Sequence, residues 1–122
     1  MGLLKGYGDV YSKIPDGAKK IKLEQFAAAF TNIVSELIPF YINDGLALTP
    51  IKFNLLDDQS ILIEWIFYNY RIGFSIDDDL DNCGWYIITT GEFDNQTSFG
   101  SLDFGDLEKN LRSLIKFAFS NS

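Results

Sequence analysis

Asp77, Asp78, Asp79 and Asp81 crowd into one short segment that closes on Asn82. Carboxylates at this density can chelate a divalent cation, or they can present a negative surface to a basic partner. Asp77, Asp79 and Asp81 reproduce positions 1, 3 and 5 of a calcium loop. Position 6 would then be Asn82 where that loop turns on Gly, and position 12 would be Ile88 where it needs a bidentate Glu. The EF-hand reading fails on both counts. A metal-dependent hydrolase, such as a phosphoesterase or nuclease, would use Glu64, Asp77, Asp79 and Asp81 to hold magnesium. Three of those four lie on a turn, which is poor preorganisation for catalysis.

Other catalytic chemistry lacks its residues. The chain has no His, so the usual general base near neutral pH and the commonest zinc ligand are missing. Cys83 stands alone, flanked by Asp81, Asn82 and Gly84. Neighbouring carboxylates raise a thiol pKa, so an inert loop thiol is expected. No glycine-rich loop has phosphate-cradling spacing. No cofactor is expected, and the chain reads as a non-enzyme.

The charge distribution points the same way. The net charge is −7, with 17 acids against 10 bases. Residues 1–22 carry five lysines against two aspartates, a net of +3, whereas residues 57–106 carry eleven acids against Arg71 alone, a net of −10. Phosphate binding needs the opposite sign, so direct nucleic-acid binding through this region is not expected. No apolar run reaches the roughly 18 residues of a membrane span. With no export signal and a single Cys, a cytoplasmic location is expected, and the Asn95-Gln96-Thr97 sequon is read as meaningless.

These residues must be positioned by a core, and 122 residues with 16% aromatics can build one. One domain over 1–122 is expected, with 1–20 as an irregular lead-in. Leu23, Phe26, Phe30, Ile33, Val34 and Leu37 recur at helical steps, and Pro39 is expected to end that helix. The period then changes to two. Strands are expected at 51–55, 60–68, 71–76 and 85–90, with a fifth near Thr97-Ser98-Phe99. Helical spacing returns from about residue 104, with Glu108 and Arg112 placed to pair. The fold class is therefore α+β: a two-layer sandwich with an N-terminal amphipathic helix, a four- or five-stranded antiparallel meander and a C-terminal helix.

Register follows from matching apolar residues across the turns. A hairpin loop at Asn69-Tyr70 would place Phe67 opposite Ile72, Trp65 opposite Phe74 and Ile63 opposite Ile76. The preceding hairpin would place Leu55 opposite Ile61 and Phe53 opposite Ile63. In such a meander the first and third turns share one end of the sheet, so Asp57 and Asp58 should join Asp77, Asp78, Asp79 and Asp81 in an acidic rim.

The second face of the sheet, with Leu62, Glu64, Ile66, Tyr68, Gly73, Tyr86 and Ile88, is too apolar to be wholly solvated. The C-terminal helix is expected to cover it, a homodimer interface through Tyr68 and Tyr86 being the alternative. Glu64 is expected to pair with Arg71 or to lie exposed at an edge, a buried functional acid being the alternative. The function expected is a small binding protein (an antitoxin, immunity protein, inhibitor or chaperone-like adaptor) that docks a basic protein partner on the rim. The runner-up is the divalent-metal hydrolase.

Overall fold

The computed structural model describes residues 3–41, 49–67, 70–79, 82–89 and 97–120. A two-residue strand β1 (Leu4–Lys5) and a short helix α1 (Tyr7–Lys13) precede the long helix α2 (Ala18–Tyr41). The strands β2 (Ile51–Leu55), β3 (Ile61–Phe67), β4 (Tyr70–Ile76), β5 (Gly84–Thr89) and β6 (Thr97–Ser101) follow. A 3-10 turn over Phe104–Asp106 leads into the closing helix α3 (Leu107–Ser120). The sheet order is the chain order, β1 to β6, with β1 parallel to β2 and every other pair antiparallel. This is the expected α+β sandwich with six strands instead of four or five.

The sixth strand comes from the supposedly irregular lead-in, which is structured. Val10 and Ile14 are buried, and Tyr7 meets Phe53 edge-on at 5.4 Å. Gly6 makes the tight junction between β1 and α1. It adopts φ 81°, and a Cβ there would stand 2.7 Å from the Phe53 carbonyl oxygen, so only glycine fits.

Pro39 does not end α2, which runs on to Tyr41. The backbone donor that Pro lacks would have bonded the carbonyl of Ser35. Ser35 is exposed, so water can satisfy that carbonyl in the last turn.

The inner face of the sheet is closed by aromatic packing. Phe26 sits 4.8 Å from Phe74, Phe30 5.4 Å from Trp65, and Phe119 5.2 Å from Phe67. These contacts place α3 beside α2 on this same face, where Arg112 also binds Glu36 at 2.7 Å. The expectation that α3 covers the opposite face is therefore corrected. Six strands span about 24 Å at the usual spacing. One helix is only about 10 Å wide, so the inner face needs two. Among the described residues, no helix or strand lies over the outer face.

The β2–β3 register matches expectation, with Leu55 opposite Ile61 and Phe53 opposite Ile63. The β3–β4 register is shifted by two residues from that expected: Phe67 faces Tyr70, Trp65 faces Ile72 and Ile63 faces Phe74. An even shift keeps every side chain on its face, so apolar matching could not detect it. Residues 68 and 69, between the two strands, lie outside the described residues.

Candidate functional site

The turns joining β2 to β3 and β4 to β5 do share one end of the sheet, and helix α2 begins there. Lys19 shows this most directly. Its Nζ donates to the Gln59 carbonyl at 2.6 Å in the first turn and lies 3.7 Å from Asp78 Oδ2 in the second. One turn of helix later, Lys22 donates to the carbonyls of Asp77 and Asp78 at 2.9 and 3.1 Å. It also stands 5.9 Å from the Phe104 ring. Both lysines are buried, at 6% and 7% exposure. The sequence brought Asp57, Asp58, Asp77, Asp78 and Asp79 together correctly; Asp81 lies outside the described residues.

The rim is not bare acid, however. Lys19 and Lys22 reach into it from within, leaving an excess of three negative charges among its described residues. The two lysines were missed as rim members, although their signal was available. Lys19 and Lys22 fall seven and four positions before Phe26 on the stripe that faces the sheet. They also explain part of the rim's charge. Cations in the first turns of a helix oppose its dipole, and α2 has no acid in its first turn. The surrounding aspartates supply the missing counter-field.

Because the lysines bind mainly carbonyls, they brace the turns and leave most carboxylates facing solvent. Asp57, Asp58, Asp78 and Asp79 are exposed, Asp78 with 73% of its side chain accessible, and Asp77 is half-buried. Asp58 is held by Ser60, whose hydroxyl and N–H donate to Oδ1 at 2.5 and 3.0 Å. Those hydrogen bonds, the hydroxyl's first, keep the Asp58 carboxyl below the usual carboxylate range, with Lys19 adding to the effect. Asp77 Oδ1 accepts from the Asp78 N–H at 2.7 Å, and Asn82 approaches Asp79 Oδ2 at 3.5 Å. Cys83 forms the floor of this turn at 2% exposure, its sulfur accepting from the Asp77 N–H at 3.4 Å. It is a packing residue.

The outer face carries a different surface. One row crosses the whole sheet as Lys5, Lys52, Glu64, Gly73, Tyr86 and Phe99. Glu64 pairs with Arg71 at 3.6 Å, as expected, and accepts from the Tyr86 hydroxyl at 3.1 Å. Burial first, and the Glu64 charge second, push the Tyr86 hydroxyl pKa up. The Tyr86 ring lies directly over Gly73, where a Cβ would come within 2.1 Å of Cε1. The row thus runs from cationic at β1 to aromatic at β6. Tyr68 of the expected dimer face lies outside the described residues.

The residues suggested for a magnesium centre are not assembled. Glu64 is opposite Gly73, and Asp77 is four residues beyond Gly73, just past the end of β4, about 13 Å at strand rise. No three potential metal-ligating side chains converge among the described residues. No described helix is long and apolar enough to cross a membrane. Against known proteins, no family model matches this chain, and neither a curated protein nor a solved structure resembles it significantly.

Proposed function

We propose that this chain is a small acidic protein-binding module, without catalytic activity, that docks a basic partner surface on the rim formed by Asp57, Asp58, Asp77, Asp78 and Asp79. Antitoxins, immunity proteins, inhibitors and chaperone-like adaptors work in this manner. The observation that carries the reading is the bridge made by Lys19, which fixes two acidic turns side by side on one firm platform. A preorganised array of carboxylates loses little freedom on binding, and its field accelerates the encounter with a cationic surface. The rim retains excess charge after its internal lysines are counted, so a partner has something left to neutralise.

Calorimetric titration with a short lysine-rich peptide, standing in for a basic surface, tests the reading. A rim variant (Asp57→Asn, Asp58→Asn, Asp78→Asn, Asp79→Asn) is compared with a control changed by the same total charge on the helices (Asp9→Asn, Glu24→Gln, Glu36→Gln, Glu108→Gln). Binding that is salt-sensitive, lost in the rim variant and kept in the control is the expected result. Equal weakening of both would reduce the effect to net charge and remove the rim as a site.

A further inference from the structure

We infer that β6 is a self-pairing edge, through which two copies of this chain join their sheets antiparallel about a twofold axis at Phe99. The two edges of the sheet are unlike. At one, β1 is two residues long and carries Lys5, both of which discourage pairing with another strand. At the other, β6 reads Thr97-Ser98-Phe99-Gly100-Ser101, with no charge, no proline and no bulge to protect it. Phe99 is 81% exposed, the most of any large apolar side chain described.

The hydrogen-bond phase of this edge is fixed. The Leu102 N–H donates to the Cys83 carbonyl at 3.0 Å, which makes that pair a hydrogen-bonded one. Antiparallel pairs alternate, so Gly100 and Ser98 also bond inward to Trp85 and Ile87. The N–H and C=O groups of Thr97, Phe99 and Ser101 therefore point away from the sheet.

A twofold axis at Phe99 brings Phe99 opposite its own copy and Thr97 opposite Ser101. All three pairs use only outward-pointing groups, and each makes two main-chain hydrogen bonds. The strand is thus complementary to itself in register. Phe99 lies on the outer face next to Tyr86, so the joined sheets carry a run of four aromatics, Tyr86 and Phe99 from each copy, across the junction.

This arrangement also keeps the repulsion between two acidic copies low. A chain with net charge −7 repels itself most where its acids gather. Gly84, next to the rim turn, pairs with Ser101, so the rim lies towards the C-terminal end of β6. Antiparallel joining sends the two rims to opposite ends of the combined sheet, and an uncharged strand makes the contact. One aromatic and one short strand per copy bury less than the roughly 1,000 Å² of a persistent interface. The dimer is accordingly weak, populated at high protein concentration and reversible.

Sedimentation of the full chain over a wide concentration range, paired with amide exchange, tests this. The wild type should pass from monomer towards dimer, and Thr97→Pro should stay monomeric while keeping its circular dichroism. That substitution removes an outward N–H and leaves both the β5 ladder and Phe99 in place. Should the variant fail to fold, the wild type still decides the matter. Exchange at Thr97, Phe99 and Ser101 should slow as concentration rises, while Ser98 and Gly100 stay unchanged. A wild type that is monomeric throughout, or a folded Thr97→Pro that dimerises equally well, overturns the inference. So would protection of those three amides only when a lysine-rich peptide is added, which would give the edge to a foreign strand.

Discussion

The rim and the β6 edge are both exposed, yet they are built on opposite principles. At the rim, charged turns are held from beneath by buried lysines, and the side chains they carry are the recognition groups. At β6 the side chains are nearly all small and uncharged, and the main chain itself points donors and acceptors away from the sheet. The first surface selects by sign of charge and weakens in salt; the second selects by strand geometry and should gain from salt, which screens the repulsion between two acidic chains. A small sheet can therefore present two contact surfaces that neither compete for residues nor respond to the same conditions.

The largest expected effect that sharpens this contrast is at Lys22. Lys22→Ala removes a buried stem and two hydrogen bonds, and should cost about 2 kcal/mol in chemical denaturation. Amide exchange in the β4–β5 turn should rise with it. A loss below about 0.5 kcal/mol would mean that the lysines do not brace the rim. Next comes Gly73→Ala, which forces the Tyr86 ring off the outer face and should cost about 1–2 kcal/mol. Removal of the obstructing ring in Gly73→Ala/Tyr86→Ser should recover part of that, and full additivity of the two changes would contradict the close packing.

Phe99→Ser should leave monomer stability within about 0.5 kcal/mol of wild type, because the side chain is 81% exposed in the monomer. A larger loss would make β6 a structural edge rather than a contact surface.

The outcome at these positions could be anticipated unequally. Alternating Ile, Phe and Trp in β3 and β4 showed which side of each strand faces inward, because the pleat dictates it. The same alternation was blind to the two-residue register shift, which leaves every side chain on its side. The shared end of the acidic turns was legible from meander topology alone. The burial of Lys19 and Lys22 was legible from their place on the Phe26 stripe, but a lysine is ordinarily read as solvated. Nothing in the lead-in signalled β1, since two residues are too few to show a period. The position of α3 followed from sheet width, which depends on the strand count that β1 and β6 complete.

The smallest effect concerns Asp58. Its carboxyl is held below the ordinary value in the fold, so its stabilising contribution is present above about pH 4, the unfolded value. That contribution disappears as pH falls through the folded value. A side-chain carbon NMR titration should find Asp58 below the ordinary carboxylate midpoint, and Ser60→Ala should move it back up. No movement would assign the shift to something other than the Ser60 hydroxyl.

The most direct test of rim recognition is an NMR titration of the intact chain with a lysine-rich peptide at low salt, followed amide by amide. Shifts should cluster in the β2–β3 and β4–β5 turns, Asp57 to Ser60 and Asp77 to Asp79, and disappear when salt is raised. Shifts centred on β6 or on Glu64 and Tyr86, or spread evenly over the surface, would contradict a docking site at the acidic end of the sheet.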